Sequence, residues 1–194
     1  MARCAVLTND LQYDLIDKNA ERRAAVAAFT PLMRRFLAQM RALGQPVVHL
    51  QLINLEDDPH AERYDGWLPA TVGSEGARIA AEFLAEGDVV VVKHKDSGFY
   101  ETELHGHLQE LGVDTVVITG MQTQICVQTT AADAYFRGYH VIVPPDAVVS
   151  ARPEDRERAL QWLGAYCATL LPTAELVAAV AADALPVFEV ASIP

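Results

Sequence analysis

Short apolar runs alternate with longer amphipathic stretches along most of the chain. The short runs, such as Cys4-Ala5-Val6-Leu7, are apolar without interruption, as expected for strands that are buried on both faces. The longer stretches carry apolar residues at steps of three or four, which is the period of an α-helix. We predict strands at about 4–7, 47–50, 88–93, 115–119 and 139–143, and helices at about 20–43, 75–85, 101–111, 124–137, 153–165 and 173–183.

This alternation predicts an α/β fold. Strands that are apolar on both faces need helices on each side of the sheet, and right-handed crossovers make such a sheet parallel and doubly wound. We therefore expect three layers, α/β/α, around a mostly parallel sheet of about six strands. All of residues 1–194 are expected to form a single domain, with residues 184–194 as a tail that has no assigned role.

Three reactive side chains follow predicted strands. Asp10 follows the first strand, Lys93 ends the third, and Cys126 lies beyond the fourth, near the start of a helix. Because open parallel sheets bind ligands beyond the carboxyl ends of their strands, we expect these residues to converge. The helix start and the ammonium favour a thiolate, and the carboxylate can take its proton, which predicts a nucleophilic cysteine. From the residues alone, Lys95 remains a rival to Lys93.

The composition of the chain limits which binding partners and which cellular compartment we expect. The chain has 15 Lys and Arg against 26 Asp and Glu, a net charge of −11, so neither nucleic acid nor a membrane is expected as a partner. Three scattered cysteines indicate neither a disulfide framework nor a zinc site, and the N-terminus lacks a signal-peptide pattern. We therefore expect a cytoplasmic protein. No phosphate-binding glycine pattern follows a predicted strand, which disfavours a flavodoxin-like nucleotide binder and predicts no cofactor.

The three reactive residues lie in longer motifs. Residues 5–12 form an apolar strand that ends in D-x-Q, residues 92–99 contain K-x-x-x-S-x-F, and residues 119–130 contain G-x-x-T-x-x-C-V-x-x-T. These motifs resemble those of the isochorismatase-like cysteine hydrolases, which include nicotinamidases, N-carbamoylsarcosine amidohydrolases and isochorismatase. The likeness extends over about residues 3–180.

The resemblance implies a catalytic triad of Asp10, Lys93 and Cys126. It selects Lys93 over Lys95, because the serine and phenylalanine of the motif follow Lys93 by four and six residues. The implied activity is that of a cysteine hydrolase that cleaves a C–N bond of a small amide, ureido or carbamoyl substrate through a thioester. A vinyl-ether hydrolase of the isochorismatase type and a catalytically inactive binding module on the same fold are the alternatives.

The resemblance also implies roles around the triad. It places a cis peptide bond between Met121 and Gln122, with the amides of Gln122 and of the nucleophilic cysteine as the oxyanion hole. Gln12, Trp67 and Phe99 are our candidates for substrate binding.

Metal binding and association are the remaining expectations. Nicotinamidases of the family hold a metal through an Asp and histidines after the second strand. Residues 55–62 lack that pattern here, so we expect no metal and do not favour nicotinamide as the substrate. Because family members usually associate, we expect a homo-oligomer, either a dimer or a tetramer.

Overall fold

A computed structural model describes residues 4–59, 61 and 67–186. Its strands are β1 (Cys4–Asn9), β2 (Val47–Leu52), β3 (Val89–Lys93), β4 (Thr115–Met121), β5 (His140–Val143), β6 (Val148–Val149) and β7 (Thr169–Leu170). They form one sheet in the order β3-β2-β1-β4-β5-β7, and β6 pairs with β4 outside this path. Every pairing of these strands is parallel.

Helices cover both faces of the sheet. They are α1 (Tyr13–Ile16), α2 (Ala20–Ala42), α3 (Leu104–Glu110), α4 (Gln128–Phe136), α5 (Pro153–Tyr166) and α6 (Thr173–Ala181). α2 and α6 pack in the core on one face, and α3, α4 and α5 pack in the core on the other. Val6 and Leu7 show why β1 is apolar throughout, since successive side chains of a strand enter opposite cores. The predicted three-layer α/β/α fold is confirmed.

One predicted element is wrong, and the sheet is slightly larger than the pattern indicates. The described residues contribute seven strands to a sheet that we expected to have about six, because β6 and β7 have only two residues each and leave no recognisable apolar run. The helix predicted at 75–85 is a single 3₁₀ turn over Glu75–Ala77, followed by turns. Its backbone pairs with the segment after β1, since the Ala80 N–H donates to the Leu11 carbonyl at 2.8 Å and Gln12 forms an antiparallel bridge with Ile79. These contacts replace helical hydrogen bonds.

A glycine allows the two central strands to meet closely at their carboxyl ends. Gly120 of β4 lies opposite Asn9 of β1, and a Cβ on Gly120 would lie only 2.3 Å from the Asn9 carbonyl oxygen. Gly120 also has a φ of +97°, a conformation that favours glycine. The residues that follow β1 and β4 are therefore held side by side.

Parts of some expectations lie outside the described residues. They are residues 187–194 of the predicted tail, together with His60 and residues 62–66 of the loop after β2. In the described part of the chain, no helix has both the length and the apolar character needed to cross a membrane.

Candidate active site

The structure brings Asp10 and Lys93 together at the carboxyl edge of the sheet. Both side chains are buried, and the Lys93 Nζ lies 3.1 Å from Asp10 Oδ1 and 3.3 Å from Oδ2. Nζ also donates to the backbone carbonyls of Lys95 at 3.2 Å and Asp96 at 2.9 Å. These contacts satisfy the ammonium inside the protein and hold it beside the carboxylate.

Lys95, the rival from sequence, faces elsewhere. Its side chain is 40% exposed and forms an ion pair with Asp58. The difference follows from strand geometry, because Lys93 ends β3 and points into the protein, whereas Lys95 lies in the loop beyond it.

Cys126 lies in a π-helical turn that joins β4 to α4. The turn spans Thr123–Val127, and the Val127 N–H donates to the Gln122 carbonyl at 3.2 Å, a five-residue step. Cys126 is 6% exposed, and its thiol donates to Asp96 Oδ1 at 3.6 Å. Asp10 borders the same cavity as the thiol and its charge acts on the sulfur, so two carboxylates, Asp10 and Asp96, surround the thiol. Sequence reasoning missed Asp96, because a lone Asp inside a loop motif gives no signal of its own.

Burial and the neighbouring carboxylates disfavour the thiolate form of Cys126 in the free protein. Burial raises the pKa of the Cys126 thiol well above its ordinary value, the charge of Asp10 raises it further, and the charge of Lys93 opposes both. Burial also raises the pKa of Asp10, against the charge of Lys93. For Lys93 itself, burial lowers the pKa, but the surrounding negative charges outweigh it and the net shift is upward. The direction of the pKa shift of Cys126 is opposite to the one that the helix start and the lysine predict.

Cys126 and Asp10 border a cavity of about 110 Å³. The cavity is lined by Asp10, Leu15, Lys18, Arg22, Leu52, Asp96, Met121, Gln122, Ile125 and Cys126. A second cavity of about 270 Å³ shares Lys18, Leu52 and Asp96 with it. A small reacting group can therefore lie against the sulfur while the rest of a ligand extends past Asp96. Lys18 and Arg22 were not anticipated, because polar residues at the start of an amphipathic helix resemble a solvated face.

The proposed oxyanion-hole residues also lie at this cavity. The peptide bond between Met121 and Gln122 is cis. Gln122 is held in place by its side-chain carbonyl oxygen, which accepts from the Ala151 N–H at 2.9 Å. Both residues line the cavity next to the sulfur.

The predicted substrate-binding residues lie elsewhere. Gln12 is fully buried, and its side chain donates to the carbonyls of Leu52 at 2.7 Å and Ala77 at 2.8 Å and accepts from the Leu52 N–H at 2.8 Å. Phe99 is buried in the core, with its ring centroid 5.8 Å from that of Tyr139. Trp67 is 52% exposed and borders neither of the two cavities. Gln12 and Phe99 therefore support the framework around the site.

The described ranges contain no cluster of donor side chains that could form a metal centre. No group of three or more His, Cys, Asp or Glu side chains in residues 4–59, 61 and 67–186 could hold a metal ion. His60, the one histidine of the loop after β2, lies outside these ranges.

Known proteins resemble this chain in sequence and in fold. It is 45% identical over 73 residues to the ureidoacrylate amidohydrolase RutB of Methylobacterium radiotolerans, an alignment that covers 38% of this chain and 28% of RutB. The first curated relatives are each matched over less than half of their own length.

Solved structures cover nearly the whole chain. An isochorismatase family protein from Desulfovibrio vulgaris has a TM-score of 0.83 and 29% identity over 93% of this chain and 100% of its own. The N-carbamoylsarcosine amidase of Thermoplasma acidophilum has a TM-score of 0.76 and 31% identity over 88% of this chain and 96% of its own. Residues 4–175 match the Isochorismatase domain family. This chain therefore belongs to the isochorismatase family of hydrolases.

Proposed function

We propose that this protein is a cysteine hydrolase that cleaves the C–N bond of a small amide, ureido or carbamoyl substrate. The proposal depends on one observation, a cysteine that borders a cavity beside a carboxylate and its buried ammonium partner. It is supported by the likeness to an amidohydrolase and an amidase. Asp10, Lys93 and Cys126 are the proposed catalytic residues.

The first half of the reaction transfers an acyl group to sulfur. Asp10 takes the proton of the Cys126 thiol, and the sulfur attacks the carbonyl carbon to form a C–S bond, while the carbonyl oxygen becomes an oxyanion. The backbone amides of Gln122 and Cys126 hold that oxyanion. When the C–N bond breaks, the departing nitrogen takes the proton from Asp10, which leaves a thioester on Cys126.

The second half releases the acid. Asp10, again a carboxylate, takes a proton from water, and the resulting hydroxide attacks the thioester carbon. The C–S bond then breaks, and the sulfur recovers its proton from Asp10. Lys93 stays charged throughout, and its charge favours the ionised form of Asp10 between these transfers. The arrangement suits this role, because no donor among the described residues is aligned for a hydrogen bond to Asp10 Oδ1, which lies 3.1 Å from the Lys93 Nζ and can accept a proton.

Because the pKa of the Cys126 thiol is raised, the transfer of its proton to Asp10 has to occur during the reaction itself. A buried sulfur that stays protonated in the free protein does not react indiscriminately. When a carbonyl group is bound, the negative charge of the attacking sulfur can move onto the carbonyl oxygen. The sulfur therefore loses its proton as it attacks.

The test is ammonia release from a panel of small amides and ureides, with mass spectrometry of the Cys126 peptide in parallel. We expect Cys126→Ala to lower turnover by about 10³-fold or more, with folding unchanged, because the nucleophile is lost. Cys167→Ala is the matched control, since Cys167 is a buried core residue, and it should keep its activity. Near wild-type turnover by Cys126→Ala, or turnover with no acyl adduct on Cys126, would contradict the proposal.

A further inference from the structure

A second carboxylate lies beside the reactive sulfur and has no part in the mechanism above. Asp96 Oδ1 accepts from the Cys126 thiol at 3.6 Å, and the side chain borders both cavities. The Asp96 backbone is anchored, because its carbonyl accepts from the Lys93 ammonium at 2.9 Å. The position of this carboxylate at the sulfur is thus tied to the same lysine that holds Asp10.

The two carboxylates differ in what they can do for a substrate. Asp10 is buried against Lys93 and handles the proton of the thiol and of the leaving nitrogen. Asp96 is exposed to the cavities, and an ionised carboxylate only accepts hydrogen bonds. A substrate group that replaces the thiol as the partner of Asp96 must therefore offer an N–H or O–H.

The carbonyl group under attack determines whether such a donor exists. A carboxamide has a nitrogen on one side of its carbonyl carbon and a carbon on the other. A ureido group has nitrogen on both sides, and each nitrogen that bears no more than one substituent besides the carbonyl carbon carries a hydrogen. If one nitrogen departs toward Asp10, only the ureido group still presents an N–H on its remaining side.

We propose that Asp96 accepts a hydrogen bond from the second nitrogen of a ureido group and so selects ureides over carboxamides. This inference rests on the proposed function, because it needs a carbonyl group to bind at Cys126. In the free protein, the Cys126 thiol donates its hydrogen bond to Asp96. When a ureide binds, its N–H takes that place, and the thiol proton becomes free to move to Asp10.

The test uses two neutral probes that differ in a single group. N-Ethylurea and butanamide are the same except that an N–H of the urea is a CH₂ in the amide. Each is titrated as a protectant against alkylation of Cys126 by iodoacetamide, with the rate followed by mass spectrometry of the Cys126 peptide. For the wild type we expect N-ethylurea to protect at about 10-fold lower concentration, the low end for a hydrogen bond to a charged acceptor.

Variants separate this contact from a general effect on the sulfur. Asp96→Ala should abolish the preference for N-ethylurea, and Asp96→Asn, which keeps an acceptor oxygen without the charge, should retain part of it. A change that acted only through the thiol would alter protection by both probes equally. Glu103→Gln removes a negative charge from an exposed residue that borders neither cavity, and it should keep the wild-type ratio.

The possible failures are distinct. Equal protection or no protection by the two probes in the wild type, or a preference that survives in Asp96→Ala, would overturn the role of Asp96. If Cys126→Ala still hydrolyses the amides and ureides of the panel at the wild-type rate, the proposed nucleophile itself fails, whichever probe protects the wild type.

Discussion

At the scale of single residues, burial controls the chemistry of this site. A helix start and a neighbouring lysine suggest an ionised cysteine, but the buried environment and Asp10 raise the pKa of Cys126 instead. Lys93 offsets this effect only in part. The identity of the three groups is visible in the motifs, whereas the balance among them depends on the depth of burial, which no local pattern records.

The Lys93–Asp10 pair makes a prediction about stability. Lys93→Met would leave the Asp10 carboxylate buried without its cation, so we expect the free energy of unfolding at pH 7 to fall by about 3–5 kcal/mol. In the variant, burial raises the pKa of Asp10 above its unfolded value, so the folded state binds more protons than the unfolded state. The loss should therefore shrink as the pH falls and Asp10 becomes protonated.

Urea denaturation at pH 7 and pH 5 measures both effects. Lys95→Met is the control, because Lys95 is partly exposed and its ion pair should contribute little to the free energy of unfolding. Equal losses for the two variants, or a loss from Lys93→Met that grows toward pH 5, would contradict a buried pair.

At the scale of elements, a residue can belong to a motif of the site without taking part in its chemistry. Gln12 and Phe99 belong to the same sequence blocks as Asp10 and Lys93, yet their side chains support the backbone and the core. Residues 75–85 do not form the predicted helix for a related reason, since their backbone is hydrogen-bonded to the segment after β1. In both cases a long-range partner outweighs the local pattern.

The close contact of β1 and β4 makes a prediction at this scale. Gly120→Ala would add a Cβ 2.3 Å from a backbone oxygen, and it would also place an alanine at positive φ. Gly138→Ala has a similar positive φ of +87° but has nothing within 4 Å of the new Cβ. We expect about 1 kcal/mol of destabilisation for Gly138→Ala from conformation alone, and at least about 2 kcal/mol more for Gly120→Ala.

Chemical denaturation of the two variants measures that difference. Alkylation of Cys126 provides a second readout, because separating β4 from β1 should alter the reactivity of Cys126 in Gly120→Ala and leave it unchanged in Gly138→Ala. Similar stabilities for the two variants would show that the two strands can separate at little cost.

At the scale of the whole molecule, sheet order assembles the site. Asp10 and Lys93 are 83 residues apart in sequence, and they meet because β1 and β3 flank β2 in one parallel sheet. Cys126 joins them because β4 lies on the other side of β1. The net charge of −11 describes the chain as a whole, and it does not predict the local charge of a cavity that Lys18 and Arg22 line.

Association of copies is a prediction for the whole molecule. We expect light scattering at micromolar concentration to give two or four times the mass of one chain. Dilution should separate a weak assembly from a stable one, and a single-chain mass throughout would rule out the expected dimer or tetramer.

Sequence alone determined the layers of this fold and the types of group at its carboxyl edge. Uninterrupted apolar runs have to be buried on both faces, and parallel strands have to end at the same edge. Only the tertiary structure decided that Lys93 is buried while Lys95 is partly exposed, that Asp96 approaches the sulfur, and that Gln12 holds two backbone segments together. The physical reason is that burial, pKa and hydrogen-bond partners depend on residues brought together from distant parts of the chain, which local periodicity cannot record.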